Sequence, residues 1–384
     1  MALRPRIQTG TEMADVLIAG GGVIGLSTAW ELAQQGVSVV VLEQGRLGQE
    51  ASWAGAGMLP PGNLEFAASG EPSLRALSCR HWPDWAERLH TTTGIDNGFR
   101  NSGRLGLFRD GESESELSFW QGEHIVADHL SQAELRNVEA EVGAGFSEAV
   151  RVPEFCQVRN PRHLKALVAA CRIAGVDFRE ETAVTGWDME QGRVVAARTS
   201  SGSVHAGQFV VATGAWSKPL LEAAGCLVPI EPVRGQIALL KTRPGLFEHV
   251  LEVGSRYLVP RSDGRIVVGS TEERVGFTKN NTTQGVQGLL EFAIEVVPAL
   301  ADAELERCWA GLRPGIRSGL PVIGRIPQTE NLFVAAGHFR SGLQNSPGTG
   351  ILMRELILGQ STSIDPGPFS VTSRVDSNST IAVE

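Results

Sequence analysis

Three glycines, one acidic residue and two arginines are the residues of this chain whose types and spacing point to chemistry. Gly20, Gly22 and Gly25 have G-x-G-x-x-G spacing, and Glu43 follows them. In such a turn the first glycine permits a tight bend, the second lets backbone approach a pyrophosphate, and the third lets helix and strand pack closely. The N–H groups that open the following helix carry partial positive charge towards phosphates. A carboxylate at Glu43 accepts hydrogen bonds from a ribose 2′-hydroxyl and repels a 2′-phosphate, which disfavours NADP. Farther on, Arg313 stands in the apolar stretch WAGLRPG, where a guanidinium is costly without a partner. Its planar fork suits a carboxylate ligand, and a structural salt bridge is the alternative. Tyr257 is the only tyrosine and reads as a packing residue unless its hydroxyl meets the same ligand as Arg313. His338 and Arg340 lie in AAGHFRSG, which reads either as a surface loop or as a backbone N–H cradle that stabilises negative charge.

These residues need elements to hold them. Val16–Ala19 is apolar and reads as a buried strand, Val23–Gln35 carries apolar residues at helical intervals, and Val37–Leu42 reads as a second buried strand. This strand–turn–helix–strand context makes the glycine motif specific for a dinucleotide, without separating FAD from NAD. The small-residue segment from Ala51 to Gly57 suits backbone passing close to a flat ligand, or a plain flexible loop. Residues 72–93 read as a helix with Leu74, Leu77, Trp82, Trp85 and Leu89 on one face, and residues 112–134 as an acidic amphipathic helix. Residues 98–110 read as a strand pair. Pro161–Ala174 reads as a helix with Asn160 as its N-cap. Strands are expected over 176–188, 193–199, 203–207 and 208–212, then over 234–241, 250–260 and 265–270, with helices over 285–300 and 349–358.

Composition narrows the class. The 384 residues allow one large or two ordinary domains, and 42% hydrophobic with 20% charged residues is a globular balance. A net charge of −9 argues against a nucleic-acid surface or a polybasic membrane anchor. The five cysteines are scattered without a C-x-x-C pair, which fits a reducing compartment and no structural zinc. No apolar run is long enough to span a membrane, and residues 1–12 carry no signal-type apolar core. A cytoplasmic protein without metal is the expectation.

The fold class expected is α/β (α+β overall). A Rossmann-like dinucleotide domain over residues 13–60, 160–220 and 325–360 would be interrupted by a second domain over 61–159 and 221–324, built on a mainly antiparallel sheet. Residues 1–12 read as a disordered leader, and the Ser-, Thr- and Pro-rich residues 361–384 as a disordered tail.

Taken in order, GGGVIG with Glu43, ASWAGAGML, VVATGAWS, WAGLRPG and AAGHFRSG resemble the D-amino-acid-oxidase-type FAD oxidoreductases, and within them most closely the glycine oxidases of thiamine biosynthesis. The resemblance runs from about Ala14 to Gly359 and favours FAD, held non-covalently, over NAD. It implies that Gly20, Gly22, Val23, Ile24, Gly25, Glu43 and Gln44 hold the ADP part. Ala51, Ser52, Ala56, Gly57 and Met58 would approach the isoalloxazine, Val184 the adenine end, and His338, Phe339, Arg340, Ser341, Gly342, Leu343 and Gln344 would wrap the flavin. Arg313 would grip a substrate carboxylate, with Tyr257, Arg340 and Met58 beside it. The implied reaction is oxidation of glycine, sarcosine or a D-amino acid by hydride transfer to flavin N5. No protein base is obligatory, O2 is reduced to H2O2, and the glycine imine supplies thiazole synthesis. A homo-oligomer, tetrameric in related enzymes, is part of the same expectation.

Departures concern the substrate. Glu272 stands where the family usually has an apolar residue facing the substrate side chain, and would bias the pocket towards basic or larger substrates or lie on the surface. Cys308 falls near the position of covalent flavin attachment in sarcosine oxidases, though a buried thiol is commonly inert. The rival functions are an FAD-dependent D-amino acid dehydrogenase that passes electrons to a quinone, a non-catalytic flavin-binding protein, and an NAD dehydrogenase.

Overall fold

The computed structural model describes residues 13–109 and 111–371. The expected leader and residues 372–384 of the expected tail lie outside these.

The apolar run Ala14–Ala19 pairs in parallel with Val39–Leu42 on one side and with the long strand Gly202–Val211 on the other. Strand Asp177–Arg179 extends the sheet beyond Val39–Leu42, and Leu332–Ala336 pairs in parallel with Phe209–Val211. Val322–Arg325 closes that edge antiparallel, while Val184–Glu190 and Arg193–Thr199 form an antiparallel meander on the first half of Gly202–Val211. That strand was expected as two pieces; it is continuous because its first half pairs with the meander and its second half with the parallel core. Every residue from Leu17 to Ala19 and from Val39 to Leu42 is buried, as a parallel sheet covered on both faces requires.

One face of this sheet carries helices Val23–Ala33, Asn160–Ile173, Ser346–Ile357 and Glu71–Thr93. The last was assigned to the second domain on sequence, but Leu74, Leu77, Trp85 and Leu89 pack in the core of the first sheet. Its apolar stripe was legible, whereas a stripe carries no information on which core it faces. Trp30 and Trp85 meet edge to face there, with ring centroids 4.6 Å apart.

The second sheet runs Glu304–Ile316, Ile230–Lys241, Arg265–Gly269, Arg256–Pro260, Val250–Val253, Arg104–Phe108, Glu148–Val152 and Asp128–Ser131. It is antiparallel except where Val250–Val253 meets Arg104–Phe108. Helix Thr283–Val296 buries Leu289, Phe292, Ala293 and Val296 on it.

Several local expectations need correction. Residues 112–134 are two helices, Glu114–Gly122 and Gln132–Val138, separated by the strand Asp128–Ser131. Ser131 and Glu134 form a capping box that starts the second helix, a signal that the acidic periodicity hid. Asn160 is inside its helix, with Arg159 at the N-cap. Residues 361–371 of the expected tail are docked: Ile364 and Phe369 enter the helix-side core, and Val371 enters the core on the opposite face of the sheet. Three apolar side chains suffice to dock a segment whose low apolar content suggests disorder.

Candidate active site

A cavity of about 730 Å³ runs between the two sheets. The parallel sheet ends at one end of it, and here the glycine turn is built by close approach. Gly20 has φ +107° and a Cβ there would fall 2.4 Å from the Ala212 carbonyl oxygen. A Cβ on Gly25 would fall 2.0 Å from the Gly20 carbonyl oxygen, so Gly25 serves packing and does not line the cavity.

Gly22 is the N-cap of helix Val23–Ala33 and supplies no side-chain cap; the Val23 N–H donates instead to Ser52 Oγ at 2.9 Å. Glu43 has more work than sequence predicted. Its carboxylate accepts from the Gly21 N–H at 2.7 Å and the Gly45 N–H at 2.9 Å, so it braces the glycine turn while lining the cavity. Gln44 and Val184 line the same end.

The expected flavin-side residues Ala51, Ser52, Ala56, Gly57 and Met58 also line the cavity. Ala51–Ala54 is a short helix rather than a loop, and the Trp309 indole N–H donates to the Ala54 carbonyl at 3.0 Å. Arg261 was not assigned from sequence. Its guanidinium donates to the carbonyls of Ala56 at 2.6 Å and Val158 at 3.1 Å and to Gln157 Oε1 at 2.7 Å. Burial pulls its pKa down to about 9, and Arg159 and Arg100 act in the same direction. The only sequence signal was a cation next to an apolar strand.

His338, Phe339, Arg340, Ser341, Gly342, Leu343 and Gln344 form one wall. The helix behind them is Ser346–Ile357, beginning three residues before the expected Thr349 because Pro347 sits in its first turn. The Trp82 indole N–H donates to the Gln344 carbonyl at 2.8 Å and ties this wall to the helix Glu71–Thr93. His338 Nε2 lies 3.0 Å from Thr349 Oγ1, and burial pushes the imidazole pKa down to about 3. His163, also fully buried, is likewise pushed down to about 3. Both are neutral in the fold, while the unfolded chain takes up these protons near pH ~6.5. Their contribution is therefore complete above that pH and is lost as pH falls towards the folded value, by about 1.4 kcal/mol per unit for each histidine. Urea midpoints should fall between about pH 7 and about pH 5, and His163→Gln should make that fall shallower. An identical slope in the variant would refute the assignment for His163.

At the other end Arg313 rises from Glu304–Ile316, and its Nη2 donates to Ser270 Oγ at 2.6 Å and its Nη1 to the Thr271 carbonyl at 3.2 Å. Burial lowers its pKa, opposed by the nearby Tyr257 hydroxyl and Glu272. Tyr257 is buried and lines the cavity, so the two residues share one pocket. Ser270 and Gly235 also line it and were not foreseen. A Cβ on Gly235 would fall 2.2 Å from both terminal nitrogens of Arg313. Gly235→Ala should displace the guanidinium and lower kcat/KM about ten-fold or more while cofactor content is kept, because roughly 1.4 kcal/mol of misplacement is a factor of ten. Unaltered kinetics would show that this contact is not needed.

Arg340 lines the cavity and is ion-paired with the partly exposed Glu272, which does not itself line it. Cys308 packs against the second sheet's core, and none of the five cysteines lines the cavity.

A glycine turn braced by an acidic strand end opens a cavity that runs on to Arg313, an arrangement suited to a dinucleotide. Residues 15–356 match the family described as FAD dependent oxidoreductase (DAO), and the chain belongs to it. It is 37% identical over 366 residues to the glycine oxidase of Pseudomonas putida, covering 94% of this chain and 99% of that one. It is 36% identical to the bifunctional protein ThiO/ThiG of Synechocystis, covering 91% of this chain and 52% of that protein. Among solved structures, glycine oxidase from Geobacillus kaustophilus superposes with a TM-score of 0.89 at 33% identity, covering 94% of this chain and 99% of that one.

The residues present fit FAD. The cavity is continuous from the glycine turn to Arg313, helix Val23–Ala33 turns its start towards it, and two lining side chains, Asn160 through Oδ1 and Gln344 through Nε2, carry buried polar atoms without a protein partner. No helix among the described residues is long and apolar enough to cross a membrane.

Proposed function

We propose that this FAD-dependent oxidoreductase is a glycine oxidase, which converts glycine and O2 to iminoacetate and H2O2. The observation that carries the reading is Arg313: it lines the cavity and hydrogen-bonds neutral oxygens, and no described carboxylate forms an ion pair with it. Its remaining donor capacity suits a ligand carboxylate. The similarity to glycine oxidases supports the choice of amino acid. The ThiO/ThiG relatives support delivery of the imine to thiazole synthesis.

FAD, when bound, supplies a two-electron acceptor that O2 reoxidises. The chain's own residues position the substrate. Arg313 fixes the carboxylate, and Ser270 and the Thr271 carbonyl hold the guanidinium in place, which removes rotational freedom from the reacting carbon. Tyr257 and Met58 narrow the pocket and exclude water, and the neutral His338 adds no charge to the wall that would hold the cofactor. The substrate amine enters neutral, and no side chain is assigned as its base.

Peroxide formation by the purified protein with glycine, sarcosine, D-alanine and D-proline tests the reading. Peroxide with glycine leading supports it. Bleaching of the bound flavin in air without peroxide would instead identify a dehydrogenase. A yellow protein inert to every amine would overturn it.

A further inference from the structure

The cavity carries five charged lining residues, and four of them are already satisfied. Glu43 accepts two backbone N–H groups, Glu50 pairs with Lys279 at 2.7 Å, Glu252 pairs with Arg104, and Arg340 pairs with Glu272. Arg313 alone lacks a charged partner among the described residues. Arg340 and Glu272 are close enough to Arg313 to influence it electrostatically, and the charges of the three sum to one positive.

We propose that Glu272 is a specificity-determining residue. As the internal counter-ion of Arg340, it restricts the site to substrates with a single carboxylate and excludes dicarboxylate amines. The inference rests on the carboxylate-binding reading of Arg313. A dianionic ligand seated on Arg313 needs a second cation, and the one within reach is held by Glu272. To use it, the ligand must displace a carboxylate already tethered to the protein, and its second charge otherwise meets Glu272 beside Arg340. That is exclusion by like charge rather than by shape. A monocarboxylate meets no such competitor. Removing Glu272 leaves two lining cations, Arg313 and Arg340, without a protein carboxylate.

The test titrates the flavin-loaded protein with unreactive acetate, malonate and succinate, following the perturbation of the visible flavin spectrum, which requires no turnover. Because the two dicarboxylates differ in span, the distance between the two arginines does not decide the result. In the parent protein neither dicarboxylate binds better than acetate. In Glu272→Ala the affinity of at least one dicarboxylate relative to acetate rises about ten-fold or more, equivalent to about 1.4 kcal/mol. In the double variant Glu272→Ala/Arg340→Gln the ratio returns to the parental value. A second measurement avoids dependence on the folding of the first variant: Arg340→Gln in the parent background lowers the ratio or leaves it unchanged, because it unpairs Glu272 and adds no cation. An unmoved ratio in Glu272→Ala, a gain that survives loss of Arg340, or a rise in the ratio with Arg340→Gln alone overturns the proposal. Absence of any acetate response in the parent would remove the carboxylate clamp itself, and the proposal with it. Acetate binding with an unmoved ratio would leave the clamp standing and remove only the role of Glu272.

Discussion

Arg313→Ala is expected to keep its flavin and lose its grip on substrate. The guanidinium touches Ser270, Thr271 and the neighbourhood of Tyr257, none of which belongs to the glycine turn. Losing a desolvated charge-assisted pair with a carboxylate costs about 2–5 kcal/mol, or tens to thousands of fold in kcat/KM. The loss should fall mainly on KM if the pair is equally strong in ground and transition states, and on kcat as well if it positions the reacting carbon. Arg313→Lys keeps charge but not the fork, so it should recover only part of the loss. Visible absorbance checks cofactor content and steady-state kinetics check the rest. An alanine variant with parental kcat/KM would remove the carboxylate clamp from the proposed function.

Glu43→Arg is expected to give the opposite pattern, a protein that purifies without flavin. The carboxylate is nearly buried and accepts the Gly21 and Gly45 N–H groups as well as lining the cavity. Hydrogen bonds to a charged group contribute about 1.5–3 kcal/mol each, so the turn loses its brace when the ribose contact is lost. The replacement also puts a cation beside the helix start, where like charge repels. Thermal unfolding should shift down even in the absence of cofactor. Glu43→Gln should sit between the two. A Glu43→Arg protein with full flavin occupancy would show that neither the brace nor the ribose contact governs binding.

Residues 14–42 are legible because strand, glycine turn and helix differ in period and agree in direction, so each limits the others. Every proposed cofactor and substrate residue except Gly25 and Glu272 lines the cavity. Gly25 was legible as a packing glycine from its place in the motif. Glu272 does not line the cavity and is held by its pairing with Arg340, and a pairing across distant segments leaves no local trace.

What remained hidden were second contacts. Ser270 and Gly235 matter because of what stands opposite them, Arg313 in both cases, and neither residue type is distinctive. Arg261 braces three oxygens that belong to other segments. Helix Glu71–Thr93 shows the same limit on a larger scale. Its buried stripe was read correctly from spacing, and its partner sheet was not.

The order of the first sheet has a consequence for how the protein is made. Its first strand and glycine turn come from the first residues described, yet the strand Leu332–Ala336 completes the parallel core and the helix Ser346–Ile357 packs directly on the turn's own helix. Residues 338–344, a whole wall of the cavity, lie between those two late elements. A growing chain on the ribosome therefore holds the glycine turn long before it has a cavity. Cofactor capture must wait until residues 332–357 have been made, and a product terminated before them would keep the motif while lacking one wall of the cavity.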